Sequence, residues 1–311
     1  MKKVLVLNAL NQVEPISETW LAPLAQQAEV YWYQKNATDF CLDEAFFLCP
    51  DPHIIVTCLV ALNQATLQRA CNLEAVMATS TAVDYIDLAY CRAQQIRVFH
   101  TPRYTETAVA EHAFALILAG TKHLRRLDVG LRRHNTEPQP AAMELKGKQL
   151  GIIGLGNIGN QLVGYAQAFG MRIVYYNRSL KSCACGTQVD LTTLLSTSDI
   201  VVMTVPLNQD SRYMIGAAEL NCMPTASFLI NIGADELIDA PALVSALKMG
   251  QIAGAALDVI TDYHTYLDAP NLILTQSRGW YTTECIQRRN TAWVETLRGY
   301  LSGEPVNACR I

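Results

Sequence analysis

Short apolar runs recur along the chain, each separated from the next by a longer stretch in which apolar residues return at helical spacing. In the first third the runs are Val4–Leu7, Glu29–Tyr33, Ile54–Thr57, Glu74–Thr79 and the brief Arg97–Phe99. Runs without polar alternation suit strands covered on both faces, so they predict a small α/β unit with a parallel sheet. The pattern resumes after residue 149, with strands expected at Leu150–Ile153, Arg172–Tyr176, Ile200–Val205, Phe228–Ile232, Ala253–Val259 and Leu272–Thr275. Between the two series, after Pro102, the segment from Thr105 to about Arg125 is small or apolar on most faces (Ala108, Val109, Ala110, Ala113, Phe114, Ala115, Leu116, Ile117). That composition predicts one long buried helix crossing between domains. Residues 134–142 are the most linker-like stretch. A final helix from Thr283 to about Ser302 is expected to pack back on the first domain.

One join in this pattern carries chemistry. Gly151-Ile152-Ile153-Gly154-Leu155-Gly156-Asn157-Ile158-Gly159 takes a strand through a glycine-rich turn into a helix. Gly154 suits the tight turn, Gly156 lets backbone approach a pyrophosphate, and Gly159 permits close packing of helix on strand, while the helix N-terminus offers free N–H groups. The next strand ends at Asn177, 18 residues after Gly159, where such a unit reads the adenosine ribose. A carboxylate there would repel a 2′-phosphate. Asn177, Arg178, Ser179 and Lys181 remove the repulsion and add donors, which favours NADP(H) over NAD(H); the plainer reading of Arg178 and Lys181 is a solvated loop.

The fold expected is therefore α/β, with two Rossmann-like or flavodoxin-like parallel-sheet domains and a cleft between them. Residues 1–102 with 283–311 would form a substrate domain and residues 103–282 a dinucleotide-binding domain. A length of 311 residues fits two domains, and 50% hydrophobic with 17% charged residues describes a globular chain with ample core. The net charge of −4 argues against nucleic acid as partner. No apolar run reaches membrane-spanning length, and Met1-Lys2-Lys3-Val4 opens a strand rather than a signal peptide, so a cytoplasmic protein is expected. Ten cysteines are scattered, and Cys49, Cys58, Cys71, Cys91 and Cys222 stand in apolar surroundings that suit buried reduced thiols. The one tight pair, Cys183 and Cys185, has no companions at ligand spacing, so no metal site is expected.

Nearly the whole chain resembles the D-isomer-specific 2-hydroxyacid dehydrogenase family. The resemblance rests on ordered motifs: Ser80 to Asp87, Thr107 to His112, Leu145 to Lys148 leading into Gly151 to Gly159, Asp199 to Leu207, Asn231 to Leu243, Gly254 to Val259, and Gly303 to Asn307. It implies a homodimer and a cofactor pocket. Gly154, Gly156, Asn157, Ile158 and Gly159 would line the pyrophosphate with Thr107, and Asn177, Arg178 and Ser179 would meet the ribose. Val205 and Pro206 would flank the adenine, and Ile232, Gly233 and Asp258 would approach the nicotinamide.

The family's chemistry, as the resemblance implies, moves a hydride between C2 of a 2-hydroxy acid and the nicotinamide. It needs an arginine to grip carboxylate and carbonyl, a histidine to exchange the proton and a carboxylate to orient it. Those three positions hold Ala234, Ser277 and Tyr263 instead. The candidate replacements are Arg278, His264, Tyr263 and Arg103, with Thr81 and Ala82 offering backbone N–H groups to an anionic substrate; His112, on the apolar helix, reads as structural. Two functions stand open at this point. One is an NAD(P)-dependent oxidoreductase that handles a small carboxylate-bearing carbonyl or imine by a non-standard mechanism; the other is an inactive cofactor-binding pseudoenzyme that senses redox state or holds a partner.

Overall fold

The apolar runs fold as parallel strands with helices on both faces. The computed structural model describes residues 1–9, 18–20, 22–134 and 141–309. The chain divides into two compact units, Met1–Tyr104 with Thr283–Ile311, and Thr105–Thr282.

The first unit holds β1 (Lys2–Ala9), β2 (Ala28–Lys35), α1 (Leu42–Leu48), β3 (Ile54–Cys58), α2 (Gln64–Leu67), β4 (Ala75–Ala78), α3 (Leu88–Ala93) and β5 (Arg97–Phe99). Its parallel sheet runs in the order β2-β1-β3-β4-β5. Side-chain alternation sorts two cores: Leu5, Leu7, Ile55 and Val76 pack with Phe46, Leu67 and Cys91 on one face. On the other, Val4, Val6, Ile54 and Val56 meet Trp293, Leu297 and Tyr300 of the C-terminal helix (Thr283–Leu301).

The second unit continues with α4 (Glu106–Thr121), α5 (Leu124–Arg132), β6 (Gln149–Ile153), α6 (Asn157–Ala168), β7 (Arg172–Tyr176), β8 (Thr187–Gln188), α7 (Leu191–Thr197), β9 (Ile200–Met203), α8 (Ala217–Cys222), β10 (Phe228–Asn231), α9 (Ala240–Lys248), β11 (Gly254–Leu257) and β12 (Leu272–Leu274). Seven parallel strands lie in the order β12-β11-β10-β9-β6-β7-β8. The chain runs outward from β6 through β7 and β8, then returns to β9 on β6's other side. This reversal opens a crevice at the carboxyl ends of β6 and β9, the place where doubly wound sheets bind ligands.

The structure departs from the sequence expectation in three places. The helix expected from Thr105 to Arg125 stops at Thr121, whose hydroxyl folds back onto the Ile117 carbonyl, and His123 (φ 53°) turns the chain into the separate helix α5. The two-residue strand β8 was not legible in the pattern. Cys71 and Cys222 are exposed rather than buried, and all ten thiols are free. Of the expected linker, residues 135–140 lie outside the described residues. Among the described residues no helix is long and apolar enough to cross a membrane.

Candidate functional site

The three glycines of the β6–α6 turn do three distinct jobs. Gly154 sits at φ 98°, and an added Cβ would stand 2.6 Å from the Val205 side chain. A Cβ on Gly159 would stand 2.6 Å from the Gly154 carbonyl, so this glycine lets α6 close on β6. A Cβ on Gly156 would meet no protein atom within 4 Å, since it projects into open space. Asn157 and Ile158 form the first turn of α6, and Asn157 reaches the Glu106 carboxylate at the start of α4, one residue before Thr107.

Beside this turn lies a cavity of about 350 Å³ lined by Gly154, Gly156, Asn177, Arg178, Ser179, Lys181, Val205, Pro206 and Asp210 among others. Its rim is braced from several strands. The Asn177 side-chain oxygen accepts from the Leu155 N–H at 2.7 Å, and Lys181 donates to the Leu155 carbonyl at 2.7 Å. Gln188 ties the carbonyls of Asn177 and Ser179 and accepts from the Lys181 N–H, while the Tyr175 hydroxyl donates to the Lys181 carbonyl. Because the Asn177 oxygen serves the turn, its amide N–H groups are what remain for a ligand. Arg178 ion-pairs with Asp210 at 2.7 Å, both side chains exposed. Lys181, grouped with Arg178 as a phosphate donor on sequence, instead supports the glycine turn. Gln188, Tyr175 and Asp210 had no signal in the local sequence, since each is brought in by a different strand or loop.

At the ends of β10 and β11 a second group of residues forms a tight polar knot. The Asn231 amide closes a turn over Ile232 and Gly233, donating to the Ala234 carbonyl and accepting from the Gly233 N–H. Asp258 is buried, and its carboxylate accepts from the Thr275 hydroxyl at 2.6 Å, from the N–H groups of Arg278 and Gly279 at 3.0 Å each, and from His112 Nε2 at 3.2 Å. Burial alone pushes its pKa up, but these donors outweigh burial and hold it down at about 2. Asp258 is thus an anion at any working pH.

The positions where the resemblance sought arginine, glutamate and histidine hold Ala234, Tyr263 and Ser277. Ala234 packs against the apolar core of this unit. Tyr263 is exposed and stacks on His264 with ring centroids 4.2 Å apart. Ser277 is exposed at φ 51° and donates its N–H to the Asp258 carbonyl. The Arg278 guanidinium lies over the Tyr281 ring at 4.9 Å. Asp235, beside Ala234, accepts from the Tyr266 hydroxyl at 2.6 Å and the Thr261 N–H at 2.9 Å, so it braces two loops.

In the first unit the loop after β4 is fixed by its own side chains. Ser80 Oγ donates to the Ala82 carbonyl and lies 2.6 Å from the Tyr85 hydroxyl, and the Thr81 hydroxyl donates to the Thr101 carbonyl. The N–H groups of Thr81 and Ala82 take no hydrogen bond among the described residues, so they remain available to an anion. Arg103 is exposed at φ 61°, a left-handed backbone for a non-glycine residue.

Comparison with known proteins bears on the same features. Residues 114–277 match the model of the D-isomer specific 2-hydroxyacid dehydrogenase, NAD binding domain. The glyoxylate reductase of Pyrococcus furiosus is 33% identical over 259 residues, which cover 78% of this chain and 77% of that protein. The glycerate dehydrogenase of Methylorubrum extorquens is 30% identical over 262 residues, 80% of this chain and 82% of that one. Among solved structures, an acyclic imino acid reductase (Bsp5) in complex with NADPH and D-Arg is 27% identical, superposes with a TM-score of 0.87, and covers 99% of this chain and 100% of its own. With a matching domain model over half its length and relatives matched across most of theirs, this chain belongs to the D-isomer-specific 2-hydroxyacid dehydrogenase family.

Proposed function

We propose that this protein is an NADP(H)-dependent oxidoreductase that reduces a small carboxylate-bearing imine, or an equivalently activated carbonyl, by a mechanism without the family's arginine, glutamate and histidine. The observation that carries the reading is the contrast within one unit. The glycine turn and its 350 Å³ cavity are braced from β7, β8 and the loop between them, while the reactive positions hold Ala234, Tyr263 and Ser277. A pocket kept in this order favours an enzyme whose mechanism was replaced over an inactive scaffold, although a sensor of reduced against oxidised cofactor needs the same pocket.

Bound NADPH supplies the hydride; the chain supplies everything else. Gly154, Gly156, Asn157, Ile158, Gly159 and Thr107 would hold the pyrophosphate. Asn177, Arg178 and Ser179 would take the ribose and its 2′-phosphate, with Val205 and Pro206 beside the adenine. Ile232, Gly233 and Asp258 would meet the nicotinamide. Strands about 4.8 Å apart put the end of β11 three spacings, about 14 Å, from the end of β6, a reach suited to an extended dinucleotide. The substrate's carboxylate would bind the free N–H groups of Thr81 and Ala82, with Arg103 of the same unit adding charge. The imine assignment draws on the solved imino acid reductase, whose NADPH complex belongs to a chain of the same fold and length. An imine nitrogen is more basic than a ketone oxygen and takes up a proton more readily as the hydride arrives, so it tolerates the loss of a carbonyl-polarising arginine.

The test is NADPH oxidation with glyoxylate or pyruvate, each alone and with ammonium or methylamine. The proposal expects rates at least about a hundredfold higher with amine, the lower bound for losing a positioned acid or base. Equal rates with and without amine refute the imine assignment, and no oxidation under any condition favours the pseudoenzyme.

Helix α5 buries no residue and exposes Leu124, Leu127 and Leu131 along one face. An isolated helix of this length is marginal in water. We assign that face to the homodimer contact; Leu127→Glu is then expected to sediment as a monomer, and an unchanged dimer refutes the assignment. The ten free thiols suit the reducing cytoplasm proposed for the protein.

A further inference from the structure

His112 was read from sequence as a structural histidine on an apolar helix, and its surroundings give it a second use. It projects from α4 onto the polar knot at the end of β11, where Nε2 lies 3.2 Å from both Asp258 Oδ1 and the Thr275 hydroxyl. The Thr275 hydroxyl gives its own proton to Asp258 Oδ1, so it can only accept from Nε2, and Nε2 carries the proton that faces both the Thr275 oxygen and the carboxylate. The Asp258 side chain is 5% exposed and that of His112 is 23% exposed, so the ring joins a buried anion to a partly open surface. Nδ1 takes no hydrogen bond among the described residues. The ring is also wedged: a Cβ on Gly279 would stand 3.0 Å from His112 Cδ2 and 2.9 Å from Asp258 Oδ2, so only glycine lets the loop close over both.

An imidazole held through one nitrogen by a buried carboxylate, with the other nitrogen free, is the arrangement that acid–base catalysis uses. Other candidates lack it. His264 is exposed, stacks on Tyr263 and has only its backbone N–H on a carboxylate, that of Asp262. Arg278 lies over the Tyr281 ring, and a guanidinium offers only donors, with no acceptor through which a proton could return.

Resting on the oxidoreductase reading above, we propose that His112 is the proton donor of the reaction and Asp258 its positioning residue, in place of the lost histidine and glutamate. In reduction the C=N or C=O carbon accepts the hydride from the reduced nicotinamide, and the π pair moves to the heteroatom. That atom takes the proton from His112 Nδ1, and the ring is left neutral with Nε2–H still on Asp258. Charge and atoms balance, because one hydride and one proton make the amine or alcohol. The two-nitrogen division fixes the tautomer, since a ring donating through Nε2 presents Nδ1 to the substrate.

Four measurements test this on the full chain. NADPH affinity by fluorescence and kcat with the best substrate of the amine panel are compared for the natural chain, His112→Gln, and His112→Ala with and without added imidazole. The expectation is a kcat loss of about 10²- to 10⁴-fold in both variants with NADPH affinity kept within about threefold, loss of the solvent deuterium effect, and partial rescue of the alanine variant by imidazole. Nitrogen-15 NMR of histidine-labelled natural chain supplies a reading that needs no variant to fold: a proton on Nε2 in the neutral ring supports the proposal. A proton on Nδ1, with Nε2 accepting from Thr275, overturns it, and so does a His112→Gln variant within about fivefold of natural kcat. A natural chain silent on every substrate refutes the oxidoreductase reading itself, and the proton-donor role with it.

Discussion

Replacing Arg178 by alanine separates a phosphate-reading loop from a solvated one. In the structure the guanidinium is 81% exposed and pairs with Asp210 at 2.7 Å. A charge-assisted bond to a 2′-phosphate contributes about 1.5–3 kcal/mol. Against this, an exposed ion pair that must be given up is worth about 0.2–1 kcal/mol. The difference, about 0.5–2.8 kcal/mol, converts to roughly twofold to a hundredfold in affinity. Titration of cofactor fluorescence should show Arg178→Ala weakening NADPH by about tenfold or more while NADH changes less than about twofold. Asp210→Asn should act in the opposite direction, because it frees the guanidinium and removes a carboxylate beside the phosphate; NADPH should tighten a few-fold and NADH stay level. Equal weakening of both cofactors by Arg178→Ala would refute the NADP(H) assignment.

Two further predictions follow from the same unit. Gly156→Ala and Gly159→Ala should behave differently: the first adds a Cβ with no protein atom within 4 Å, so thermal stability should hold while NADPH weakens about tenfold, whereas the second places Cβ 2.6 Å from the Gly154 carbonyl and should lower both. Identical melting temperatures for the two variants would count against this account of the turn. Asp258 is held down from 3.8 to about 2, so its stabilisation is fully present above pH 3.8 and disappears as the pH falls toward 2. The amount is about 2 kcal/mol. Urea midpoints measured between those pH values should fall steeply in the natural chain and less so in Asp258→Asn; parallel slopes would show that other carboxylates dominate.

Much of this was legible in the sequence because it is local. Continuous apolar runs such as Ile54–Cys58 and Ile200–Met203 can only be strands buried on both faces, and the spacing of Gly154, Gly156 and Gly159 fixes the turn that α6 follows. What stayed hidden depends on residues far apart in the chain. The break at His123 carries neither glycine nor proline, and a left-handed histidine leaves no mark in a periodicity. Gln188 reaches the Asn177 loop only because β8 pairs with β7. Asp235 gave no sign in the sequence that it would brace Tyr266 and Thr261. The contact between His112 and Asp258 spans most of the second unit's length, and no spacing rule connects them.

The central claim is that an intact cofactor site surrounds a replaced mechanism. Its most direct test compares the natural chain with the variant Ala234→Arg, Tyr263→Glu, Ser277→His for NADPH oxidation with glyoxylate, hydroxypyruvate and pyruvate. The natural chain should be slow with all three 2-oxo acids, and the variant faster by about a hundredfold or more, as restoring a positioned acid–base group predicts. A natural chain that already reduces these acids as fast as the variant would contradict the account.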